Sequence, residues 1–178
     1  MTGISKVWLT ILATVLLVPS AAWAQLGDTD GCTNATLRGD YAFRVTGQLL
    51  PIGAPPVLRE GVAMTHFDGQ GNLTQVDFVM ANGVPIAGPP DPLTGFHTGE
   101  SGWYKVFPDC TGTAHIQFPT PPGLTSGAVI DLMFVLSNHG NTIHTIVSQL
   151  LPPGSTTAIP ASIHSDAERL GSIVDNDN

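Results

Sequence analysis

The chain has 178 residues and a formal charge of −8, with six Lys and Arg against fourteen Asp and Glu. So few cations make no basic stripe for a phosphate backbone or an anionic membrane, which excludes nucleic acid as a partner and disfavours stable membrane insertion through headgroups. Only 11% of residues are charged, and 20 Gly and 15 Pro accompany many Thr and β-branched residues, a composition suited to an all-β domain rich in turns.

Residues 1–24 read as a cleaved secretory signal peptide and are set apart from the fold. Lys6 precedes an apolar run over 7–18, a Pro19-Ser20 break follows, and Ala22-Trp23-Ala24 supplies an A-x-A cleavage pattern. The run is about a dozen residues, short of the roughly 20 that a membrane-spanning helix needs. No Cys follows the cut, so no lipid anchor is expected. The expected mature chain starts at Gln25 with a formal charge of −9, is sized for one domain, and is exported to the periplasm or beyond the cell.

Eight strand-length apolar segments follow, at 40–49, 57–67, 73–81, 100–107, 113–118, 128–137, 142–151 and 161–170. Their connections alternate in kind. Those at 50–56, 82–94, 119–127 and 152–160 are long and Pro-rich, whereas 68–72, 109–112 and 138–141 are tight and polar. Asp68-Gly69 and His139-Gly140-Asn141 tolerate the positive φ of tight hairpins. Pro55-Pro56, Pro89-Pro90, Pro121-Pro122 and Pro152-Pro153 cannot occupy central strands, and all four fall in the long class. Antiparallel neighbours then put every tight turn at one end, a floor, and every long loop at the other, a mouth. The predicted architecture is a single eight-stranded antiparallel up-and-down barrel, which leaves no open edge, with a two-sheet β-sandwich as the alternative.

Individual strands add detail. In 40–49, Tyr41, Phe43, Val45 and Leu49 share one face and Asp40, Arg44, Thr46 and Gln48 the other, the pattern of a half-buried strand. Segment 128–137 is apolar on both faces apart from Asp131, and needs cover outside from a terminal segment, a loop or a second subunit of a homo-oligomer. Segment 166–170 reads equally well as a helical turn. The domain plan is an N-terminal segment at 25–38, the barrel at 39–171 and a disordered acidic tail at 172–178.

Cys32 precedes the first strand and Cys110 lies in a floor turn, so the meander brings both to one end. In an exported chain they are expected to form a disulfide that pins 25–38. Closing about 78 residues contributes roughly 4–5 kcal/mol in the chain-entropy account.

Cys32, Leu37-Arg38-Gly39-Asp40-Tyr41-Ala42-Phe43, Phe67-Asp68-Gly69-Gln70-Gly71-Asn72-Leu73-Thr74 and Gly102-Trp103-Tyr104-Lys105-Val106, leading into Asp109-Cys110-Thr111-Gly112-Thr113, resemble a family of small exported bacterial proteins of unassigned function. The D-C-T-G-T turn is the most specific piece. The resemblance implies a bacterial source and a barrel like those of calycins or allene oxide cyclases, an analogy of fold alone. It carries over no catalytic residue.

The candidate chemistry is sparse. His66, His97, His115, His139, His144 and His164 show no metal-ligand spacing, and no G-x-S-x-G marks a nucleophile. No metal site and no cofactor is expected. Glu60, Asp77, Glu100 and Asp131 lie in or beside strands, as do Arg44, Arg59 and His144. The residues chosen as lining an interior are Tyr41, Phe43, Glu60, Asp77, Tyr104, Asp131, Phe134 and His144. Three functions compete: a barrel binding a small apolar ligand through its Pro-rich mouth, a cofactor-free isomerase or cyclase using the same cavity, and an interaction protein with a filled core. An outer-membrane barrel is disfavoured, because Arg59, Glu60, His66 and Lys105 deny several strands a continuous apolar face.

Overall fold

A computed structural model describes residues 31–86 and 90–171. The expected signal peptide, the start of the N-terminal segment and the acidic tail lie outside the described residues. The strands are β1 (Arg38–Leu49), β2 (Val57–Asp68), β3 (Asn72–Ala81), β4 (Val84–Pro85), β5 (His97–Val106), β6 (Thr111–Gln117), β7 (Val129–Ser137), β8 (Thr142–Leu151) and β9 (Ala161–Arg169). All pairings are antiparallel, and they run β1–β2–β3–β5–β6–β7–β8–β9 before β9 returns to β1. Eight strands therefore close a barrel, and β4 is an extra strand paired on β3 at Met80 and Ala81.

Tight turns and long loops segregate to opposite ends as the loop chemistry requires. At the floor, Asp68 Oδ1 accepts from the backbone N–H groups of Gln70, Gly71 and Asn72, which fixes the β2–β3 turn. The ambiguous 161–170 segment is a strand rather than a helical turn. Ile163, Ser165 and Ala167 are buried while Ser162, His164, Asp166 and Glu168 are exposed, a period of two that a helix cannot provide. The long loop at 82–94 hides β4, whose two residues are too few for alternation and include Pro85.

The floor is sealed by the N-terminal segment. Cys32 and Cys110 form a disulfide. Behind it Leu37 is fully buried, its carbonyl accepting from the Tyr104 hydroxyl at 2.8 Å. Tyr41, Phe67 and Tyr104 stack edge-to-face at 5.4 and 5.0 Å, and Leu73, Val106, Phe134, Ile143 and Ala167 complete the core. Burying such side chains contributes about 1.5–3 kcal/mol each, so this end anchors the fold.

β7 is open on its outer side within this chain. Phe134 is buried, but Met133 and Val135 are about half exposed, with the equally exposed Ile146 opposite Met133 on β8. No described segment of this chain covers them. Among the described residues no helix is long and apolar enough to cross a membrane.

Candidate functional site

The barrel is filled at its floor and looser toward its mouth. Inward residues of the mouth half, including Phe43, Val45, Gln75, His97, Ile130, Leu132 and Val147, stay partly accessible. Their chemistry is split across the lumen. β3 and β5 present Gln75, Asp77, His97 and Glu100, while β8 and β9, opposite them in the ring of eight, present Val147 and Ile163. Val45, Ile130 and Leu132 extend the apolar wall onto β1 and β7.

A bulge assembles the polar wall. The β3–β5 register slips between the pairs Gln75–Glu100 and Asp77–His97. His97 and Glu100 are three residues apart and would face opposite sides of a regular strand, but the slip turns both inward. Gly99 takes a φ of +88° within it, a conformation open to glycine and costly for other residues.

Within this wall the groups differ in how well they are satisfied. Asp77 is 3% exposed and sits 3.3 Å from Nδ1 of His97. Burial raises its pKa, and the neighbouring imidazole opposes that rise. Thr65 donates to Gln75 at 2.9 Å, and across the lumen Thr145 of β8 and Ser165 of β9 bond each other at 2.6 Å. Glu100 is 2% exposed, and neither carboxylate oxygen has a hydrogen-bond partner. Burial pushes its pKa up to about 7, with the charge of Asp77 adding to the rise. Nearer the mouth Arg59 continues the inward row of Ala63, Thr65 and Phe67, and burial lowers its pKa. Among the described residues it has no ion-pair partner.

Comparison with protein-family models, curated proteins and solved structures returns no match.

The residues chosen from the sequence divide between the two surfaces. Tyr41, Tyr104 and Phe134 belong to the floor core, Phe43 packs against it, and Asp77 joins the polar wall. Glu60, Asp131 and His144 stand on the outer face, because the inward phase of β2, β7 and β8 is set by Ala63, Phe134 and Thr145. Asp131 pairs there with His115 and His144 with Asp166, each at 2.7 Å, and His66 pairs with Asp40 at 2.8 Å. Glu100, named from the sequence only among the carboxylates in or beside strands, and His97 are inward residues outside that set. The phase Glu100, Gly102, Tyr104, Val106 puts Glu100 on the same face as the core tyrosine and could have found it. His97 lay beyond reach of any such count, since the bulge resets the phase before it.

Among the described residues no set of His, Cys, Asp and Glu converges as metal ligands. Two open concavities of the described residues lie outside the lumen. One of about 310 Å³ crosses the outer face of β2, β3 and β5 as far as Gly99 and Glu100. The other, about 670 Å³, lies beside Trp103 near the floor.

Proposed function

We propose that this is an exported barrel that binds a small molecule with an apolar body and one hydrogen-bond donor, taken in through the Pro-rich mouth. The supporting observation is Glu100, a buried carboxyl with two unpartnered oxygens on the inner wall of the barrel, across from an apolar stretch. A buried acceptor without a partner costs about 1–3 kcal/mol, more if charged, and a ligand donor recovers that cost. The apolar wall of Val45, Ile130, Leu132, Val147 and Ile163 accommodates the ligand body. Ile52 and Leu93, on two mouth loops, are more than 90% exposed and give an apolar ligand a first surface to meet.

Export is supported by the sequence of residues 1–24 and by the Cys32–Cys110 disulfide. A lipid-facing outer surface fits poorly, since the Asp40–His66, His115–Asp131 and His144–Asp166 pairs interrupt it.

Thermal shift with octylamine, 1-octanol and octanoate tests the reading. The first two stabilise the protein, octanoate does not, and Glu100→Gln removes the octylamine effect. Absence of any shift with octylamine and octanol contradicts it.

The pKa of Glu100 near 7 favours a second reading, an acid–base isomerase in which this carboxyl takes a proton from one carbon of a bound substrate and returns it to another. Deuterium incorporation from D₂O into enolisable ketones, lost in Glu100→Gln, distinguishes catalysis from binding alone.

A further inference from the structure

We propose a second site, on the outer face, in which the groove beside Trp103 binds hexopyranose oligosaccharides. Asn72, Trp103, His115 and Asp131 form one directly opposed row across β3, β5, β6 and β7. Trp103 and His115 stack with ring centroids 5.4 Å apart and planes within 9°, and Nδ1 of His115 is held 2.7 Å from Asp131. One face of the indole is therefore backed by a fixed ring. Trp103 remains 52% exposed, and its other side borders the groove of about 670 Å³ toward Asn72.

The groove opposite the indole is lined by Asn34, Gln70 and Asn72, with Lys105 beside them. Two of the side-chain amides are already oriented. Asn72 Nδ2 donates to Asp68 at 2.7 Å, which leaves its Oδ1 as an acceptor, and Asn34 is fixed at both ends of its amide, Oδ1 accepting from the Val106 N–H at 2.8 Å and Nδ2 donating to the Gln70 carbonyl at 3.4 Å. The Cys32–Cys110 disulfide anchors the segment that carries Asn34. The site is built before any ligand arrives, which lowers the ordering cost of binding.

A rigid, half-exposed indole beside neutral amides suits a molecule with one C–H face and a hydroxyl edge, and a pyranose ring has both. The C–H face packs on the indole and the hydroxyls exchange hydrogen bonds with the amides. Other occupants fit less well. Lys105 repels a quaternary ammonium group. An extended peptide finds no free strand edge, because β3 and β5 are already paired on both sides. The acidic chain disfavours phosphate-bearing ligands.

The three tryptophans are Trp8, Trp23 and Trp103, so a chain that starts at Gln25 has Trp103 as its single indole reporter. Its emission is titrated with chitotetraose, cellotetraose and maltotetraose, and calorimetry is run in parallel. The expected result is a saturable change with at least one of them, half-complete at millimolar concentration or below, on the order of −4 kcal/mol or stronger. Trp103→Ala, whose side chain is on the surface, should keep the wild-type melting temperature and weaken the calorimetric binding at least tenfold. Glu100→Gln should leave it unchanged, which separates this groove from the lumen. No change with any of the three sugars overturns the proposal, and so does calorimetric binding that survives in Trp103→Ala. A concentration-dependent dimer that buries Trp103 and blocks the sugars also overturns it, by assigning the groove to a second copy.

Discussion

Asp77 and Glu100 share one inner wall of the barrel, at 3% and 2% exposed, yet only Asp77 has a partner, the imidazole of His97. That asymmetry gives the lumen its character. One carboxyl is held by its own protein, and the other is buried with two open acceptors.

The first consequence is a stability profile that runs against the usual acid dependence. Glu100 rises from an ordinary 4.5 to about 7 on folding, so the folded chain holds a proton that the unfolded chain has released. Stability from this group is complete below about 4.5 and is lost as pH rises toward 7. Asp77 is raised as well and contributes with the same sign. The loss should be on the order of 1–2 kcal/mol once partial solvent screening is allowed for. Melting temperatures of Glu100→Gln measured from pH 4.5 to 8 should show a flatter profile than wild type and a higher value at pH 8. An unchanged slope would place Glu100 in solvent.

Asp68 sets the opposite limb. It accepts three backbone N–H groups of its own turn and the Asn72 side chain, and these bonds hold its pKa at about 2. A depressed carboxyl stabilises the fold above its unfolded value and loses that contribution as pH falls through the folded one. Asp68→Ala should melt earlier than wild type at neutral pH, and the gap should close between about pH 4 and 2. Circular dichroism melts across that range measure it.

The seam where β9 meets β1 is tied at its floor end by one hydroxyl. Tyr41 donates to the Gly140 carbonyl and accepts from Nε of Arg169 at 2.9 Å, and Arg169 reaches on to the Thr36 carbonyl at 3.0 Å. Tyr41→Phe keeps the ring in the core and leaves a buried carbonyl unpaired, at a cost of about 1–3 kcal/mol in urea unfolding. Arg169→Ala should lose less, since its guanidinium is exposed to water.

The floor disulfide should carry a larger share. Cys32→Ser with Cys110→Ser frees a segment separated by 78 residues from its anchor, and should lower unfolding free energy by about 2–4 kcal/mol. The same variant should speed hydrogen exchange of the backbone N–H groups of residue 32 and Val106, which donate to the Pro108 carbonyl and to Asn34 Oδ1, because the disulfide holds that segment in register.

Much of this fold was legible in the sequence, because Pro-Pro pairs and Gly-containing tight turns are local signals. They gave the eight-strand meander, its closed floor and the proximity of Cys32 and Cys110. What escaped was phase. Glu60, Asp131 and His144 alternate with inward neighbours in strands apolar enough on both faces that either reading fitted the pattern. Asp131 and His144 turned outward into cross-strand pairs with His115 and Asp166, a relationship fixed by register between strands and invisible within either. The bulge that unites His97 with Glu100 is likewise a property of two strands together.

The most direct measurement is the pH titration of the Glu100 carboxyl carbon by ¹³C NMR, with and without octylamine. In the free protein it should titrate near 7. With octylamine bound, the ammonium donor stabilises the carboxylate, so the midpoint should fall and octylamine affinity should strengthen as pH rises through 7. A midpoint in the ordinary carboxylate range, unmoved by octylamine, would contradict the account of a buried acceptor awaiting a donor.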